Sequence, residues 1–223
     1  MIESQLLESL SDEGIDAALV HWTAANDAIR QALVIGRDLA LRAGDLDTAT
    51  LVSISRAIAG GPRQVVEIAS LVAKVLIVRY PSAEWLVDDL AHSPRTQGRL
   101  GALLCLTPAV SQELTTVVLK LLISDRSKKV REMTVDWICR NNGKSYLPML
   151  EAALSIETDN ILKVYIAREI SLLDKGFHVN RERGTFYVTI QTSGGRVGRN
   201  FSPAAADKLS DRQIAERFAS ELR

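Results

Sequence analysis

The sequence predicts an all-α fold, an α-solenoid of stacked antiparallel helix pairs that ends in a β-hairpin and one further helix. Three observations predict it. Of 223 residues, 47 % are hydrophobic but only 5 % aromatic, so the apolar content is overwhelmingly aliphatic, and 6 Pro with 13 Gly are few for a loop-rich β protein. Aliphatic residues recur along most of the chain with a period of 32. That period stops after Gly176, where a strand-like alternation replaces it.

The repeat is read in columns. Stepping by 32 from Ile54 lands on Leu86, Val118 and Leu150, and from Ile58 on Leu90, Leu122 and Leu154. A third column runs Leu71, Leu103, Val135 and Ala167, and a fourth runs Lys74, Leu106, Ile138 and Ile170. Within each unit the apolar positions fall three or four residues apart in both halves, which is the helical period. Between the halves lie AGGPRQ, AHSPRT, SDRSKK and ETDN, rich in residues that stop one helix and cap the next, with Ser93-Pro94 and Asp159 placed to start second helices. The units are 45–76, 77–108, 109–140 and 141–172. Residues 13–44 keep Leu19, Trp22 and Leu39 on the pattern but place Asn26 and Gly36 off it, as a degenerate, acidic end unit of a solenoid would.

The unit 109–140 carries the string LLISDRSKKVREMTVDWICRNNG from Leu121 to Gly143. It resembles a HEAT repeat, whose first helix ends in a Leu-Leu pair, whose turn carries Asp and whose second helix opens with Val-Arg. Leu121, Leu122, Asp125, Val130 and Arg131 stand in those places. The next unit keeps Leu154, Glu157, Leu162 and Lys163, and the previous one keeps Leu90, Ser93 and Arg99, whereas Glu67 replaces the basic residue one unit earlier. The resemblance covers roughly 45–172 and implies an architecture, 1–176 as a HEAT-like solenoid and 177–223 as an appendage. It implies no single activity, because HEAT-like proteins range from scaffolds to DNA-repair and lyase-type enzymes.

In the appendage, Thr185 to Thr192 alternates, Ser193-Gly194-Gly195 reads as a turn, and Arg196 to Phe201 alternates again, which predicts a hairpin over 185–201. Arg199 shares the parity of Val197 and Phe201, so freeing it from the apolar side requires a bulge at Gly198. Ser210 can cap a last helix, whose Ile214, Phe218 and Leu222 at spacing four form one apolar face. SGGRVG at Ser193 leads from strand to strand rather than into a helix, so it reads as a turn and not as a phosphate cradle.

Lys+Arg and Asp+Glu are equal at 27 each, but the charge is polarised. Residues 1–50 hold nine acids and three bases, and residues 95–144 hold nine bases and four acids. The acidic start MIESQLLESL argues against a signal peptide, and no apolar run approaches the ~18 residues of a membrane span. Cys105 and Cys139 lie in apolar helical stretches as small hydrophobes, so a cytoplasmic chain is expected.

His21, His92 and His178 stand far apart, without metal-ligand spacing or a neighbouring nucleophile. No catalytic residue, no metal and no cofactor is expected. Arg99, Arg131 and Lys163 form a column of cations at the repeat period. Pairing of Arg131 with Asp125, and of Lys163 with Glu157, would make that column structural. Arg95, Arg99, Lys128, Lys129 and Arg140, with Arg196 and Arg199 of the hairpin, are the candidate binding residues. Asp136-Trp137 could serve the chemistry of HEAT-like glycosylases, but Arg168, one repeat on, offers Asp136 a structural partner.

The leading expectation is a non-enzymatic scaffold that binds another protein through its second helices, as an adaptor or a toxin-neutralising immunity protein does. The second is a nucleic-acid-binding HEAT-like protein, including a glycosylase-like repair enzyme, whose basic column contacts phosphates. No membrane partner is expected.

Overall fold

A computed structural model describes residues 10–42, 44–141, 143–182, 185–192, 195–202 and 208–222. The hairpin turn 193–194 and most of the acidic start therefore lie outside the described residues. The chain is mostly helical, with a small antiparallel sheet near its C-terminus. It divides into two compact units, Met1–Thr134 and Val135–Arg223.

The first unit contains α1 (Asp12–Leu19) and α2 (Asp27–Leu41), α3 (Thr48–Gly60) and α4 (Arg63–Arg79), α5 (Trp85–Ala91) and α6 (Thr96–Cys105), then α7 (Gln112–Ile123) and the start of α8 (Lys128–Arg140). The side chains of Ser11, Asn26, Asp47 and Ser111 accept the backbone N–H three residues on, satisfying donors that a helix start leaves open. α6 begins at Thr96, later than Ser93-Pro94 suggests, because the carbonyls of Ser93 and Pro94 are held by Arg99. α3 packs against α2, α4, α5 and α6, and α5 packs against α7. Ile54, Ile58, Leu86, Leu90, Val118 and Leu122 are all buried there.

Two glycines mark the closest approaches. A Cβ on Gly36 of α2 would meet Val72 Cγ1 at 2.8 Å and Ile54 Cδ1 at 2.9 Å, so the residue that departs from the aliphatic pattern is the one that lets α2 reach α3 and α4. Gly101 of α6 faces Ile58 Cγ2 of α3 in the same way. Trp85 lies at the start of α5 and is exposed, while its neighbour Leu86 fills the core position.

The second unit holds the end of α8, α9 (Leu147–Ile156), α10 (Asn160–Lys175), β1 (Phe177–Glu182), β2 (Thr185–Thr192), β3 (Gly195–Phe201) and α11 (Asp211–Ser220). Asp159 caps α10 by accepting the Leu162 N–H at 2.9 Å, and Gly176 ends it in the left-handed region at φ 79°. Leu150 is buried, Leu154 only half so. The third column fails in α10, where Ala167 is exposed and Leu162, Ile166, Leu172 and Leu173 form the buried face.

The sheet has three strands in the order β1-β2-β3, one more than the expected hairpin. Phe177 pairs with Ile190 and Val179 with Val188, so the alternation of FHVNRE continues the apolar face of β2. β2 and β3 pair without interruption from Phe186–Phe201 to Thr192–Gly195, so no bulge falls at Gly198. Val197, Arg199 and Phe201 share the face that α11 covers, and Val197 and Arg199 stay at its wet margin. Phe186, Val188, Ile190, Phe201, Ile214, Ala215 and Phe218 form the core between sheet and helix. Ser210 and Gln213 close α11 with a reciprocal capping box.

Candidate functional site

The candidate cations fall into different environments. Arg99 is buried: its Nε and Nη2 donate to the two carboxylate oxygens of Asp125 at 2.5 and 3.1 Å, and its Nη1 donates to the carbonyls of Ser93 and Pro94. It therefore ties the α5–α6 turn to the α7–α8 turn and is withdrawn from the surface. Arg131 is half-buried and meets Asp125 through the backbone, its Nη1 donating to the Asp125 carbonyl at 2.8 Å. Glu157 Oε1 accepts the N–H groups of Thr158 and Asp159. Arg95 is exposed, with its guanidinium over Gly60. Lys128 and Lys129 are exposed at the start of α8, Lys129 within 3.4 Å of Glu132.

In the second unit the cations converge on two carboxylates. Arg140 Nη2 lies 2.8 Å from Asp136 one turn earlier, and Tyr165 donates to the other Asp136 oxygen at 3.5 Å. The expected partner of Asp136, Arg168, instead donates twice to Glu169 Oε1, at 2.8 and 3.1 Å, and lies 4.9 Å over the Tyr165 ring. Arg196 Nη1 donates to Glu169 Oε2 at 2.6 Å. The Glu169 side chain is 0 % exposed, and Arg196, itself exposed on the strand, fastens the sheet to α10 through it. Arg199 lies over the Phe218 ring and 3.3 Å from Glu221.

The electrostatics of this cluster favour holding over reacting. Burial, followed by the Glu169 charge, pushes the Cys139 thiol up to about 12. Burial raises the Tyr165 hydroxyl, with Glu169 and Asp136 adding to the effect. Burial, then the Arg168 cation, lowers His178. Burial opposes the charge of Arg196, and the hydrogen bond to Glu169, the Glu169 charge and Cys139 together outweigh it, leaving its pKa raised. Both Glu169 oxygens accept from guanidinium groups, which disfavours their acting as a base, and the Cys139 thiol stays protonated near neutral pH. Burial likewise pushes Cys105 up to about 12. At pH 8 both thiols are expected to react with iodoacetamide at least about a hundredfold more slowly in the folded than in the unfolded protein, because the thiolate is the nucleophile. Equal rates would mean that neither thiol is shielded.

Beside this cluster α10 turns apolar side chains outward. Ile161 is 76 % and Val164 67 % exposed, and at spacing three they share a face with Tyr165 and Arg168. α10 is thus apolar on two sides, Leu162 and Ile166 inside, Ile161 and Val164 outside. The repeat columns pass over this second stripe, although ILKVYIA already carries it.

Among the described residues no group of three or more His, Cys, Asp or Glu could hold a metal ion, and no helix is long and apolar enough to cross a membrane. Comparison with family models, with curated proteins and with solved structures finds no match.

Proposed function

We propose that the chain is a HEAT-like helical-repeat protein, an α-solenoid that works without catalysis by binding another protein through its second helices. The observation that carries this reading is the outward stripe of α10, where the apolar side chains of Ile161 and Val164 face water at an energetic cost that a covering partner would remove. Apolar side chains flanked by Tyr165 and Arg168 match the composition of interface centres, which are rich in aromatic residues and Arg and poor in Lys and Glu. The helix pairs that recur through the chain are consistent with the repeat. An adaptor or an immunity protein would use such a surface.

The nucleic-acid alternative is weakened by the pairing of its cations. Arg99, Lys129, Arg140, Arg196 and Arg199 each have a carboxylate within 3.4 Å, so little uncompensated positive charge remains on them for phosphates. The test is the double variant Ile161→Asp with Val164→Asp. At exposed positions it should change stability by no more than about 0.5 kcal/mol each. A protein captured by the wild-type chain from an extract of the producing organism, and identified by mass spectrometry, should be lost from the variant. Retained capture would remove α10 as the binding surface. Binding of duplex DNA that weakens steeply with salt would instead favour the second reading.

A further inference from the structure

The α11 side of the sheet is incompletely filled. Phe201 packs on Phe218 with ring centroids 5.4 Å apart, so the core is closed at that end. At the other end, beside the Phe177–Ile190 cross-strand pair, an open groove of about 550 Å³ remains. Ala215 and Ala219, one turn apart on α11, complete its apolar floor. Side chains of this size leave a Phe–Ile pair without the contacts that close packing would supply. Such a floor gives water few hydrogen-bonding partners, and the volume lies within the ~300–1,000 Å³ of small-molecule sites.

The rim decides the head group. Arg212 and Glu216 neutralise each other, Nε to Oε1 at 3.0 Å. Lys175, at the last turn of α10, lines the groove and makes no ion pair among the described residues. The rim therefore carries one uncompensated positive charge above an apolar floor. We propose that this groove is a binding site for a small amphiphilic anion, a medium-chain aliphatic carboxylate whose chain lies on Phe177 and Ile190 and whose head meets Lys175. The site is separate from the α10 stripe and does not depend on the protein-binding reading.

Decanoate titrated into the full chain, followed by NMR of the Ile190, Ala215 and Ala219 methyl groups, tests the proposal. Saturable shifts confined to these groups are expected. Octanoate should bind about tenfold more weakly than decanoate, since two buried methylenes are lost. Decanol and decylamine should both bind several-fold more weakly, and Lys175→Gln should weaken decanoate several-fold while leaving decanol unchanged. Ala219→Leu, which fills the groove, should weaken decanoate at least tenfold, with circular dichroism checking that α11 is retained. Absence of saturable shifts at millimolar decanoate would overturn the site. Decylamine binding as tightly as decanoate, or decanoate binding unaffected by Lys175→Gln, would overturn the anionic ligand.

Discussion

Arg99→Met is expected to destabilise the protein by about 3–5 kcal/mol, the range for breaking a buried ion pair from one side. The Arg99 and Asp125 side chains are only 8 % and 7 % exposed, so methionine fills the space of the alkyl stem but leaves the Asp125 carboxylate buried without its fork of donors. The Ser93 carbonyl also loses its Arg99 donor, and the Pro94 carbonyl keeps only Arg126 Nη2 at 3.0 Å. Asp125→Asn keeps an oxygen for the Ser127 N–H, which Asp125 accepts at 2.7 Å, and removes the charge. In a double-mutant cycle on denaturant unfolding, the two changes should couple by more than about 1 kcal/mol. Additive effects, or a loss within about 0.5 kcal/mol for Arg99→Met, would show that the pair does not hold the turns together.

Leu122→Ala should cost about 2–5 kcal/mol, because the side chain is fully buried on α7 and its neighbours can collapse only partly into the space it leaves. In a chain of this size each kcal/mol corresponds to about 2–4 °C in the midpoint of thermal unfolding. Leu121→Ala is the internal control: the adjacent leucine is 41 % exposed and should cost much less. Comparable losses for the two leucines would mean that the helix face is wrongly assigned.

The adjacent leucines show how much of the fold is legible in the chain. The inward face is readable where a helix has one dominant apolar stripe, and Ile54, Leu86, Val118 and Leu150 are all buried. Second helices are less readable. α4 and α10 carry aliphatic side chains on more than one side, so spacing alone does not select the inward face: Leu71 is half-buried where Val72 is buried, and Ala167 is exposed where Ile166 is buried. β1 is not legible in the sequence because FHVNRE is polar at every second position and becomes a strand only when Val179 finds Val188 beside it.

The candidate site was less legible still. Its residues were visible as charges, but their partners are set by the path of the backbone. Arg131 lies six residues from Asp125, yet the Asp125 carboxylate goes to Arg99, 26 residues away, because the guanidinium fork of Arg99 reaches both oxygens. No spacing in the sequence singles out Glu169, the fully buried carboxylate on which Arg168 and Arg196 meet.

The helical class, the caps at Asp159 and Ser210 and the apolar face of α11 are legible in the sequence, since each rests on composition or on interactions within a few residues. Only the tertiary structure decided which cations are structural, which side of α10 faces outward, and that a groove remains beside Phe177 and Ile190. These depend on which distant segments come to share a surface. An ion pair, an exposed stripe or an unfilled volume is a property of two elements together, and neither element carries it alone.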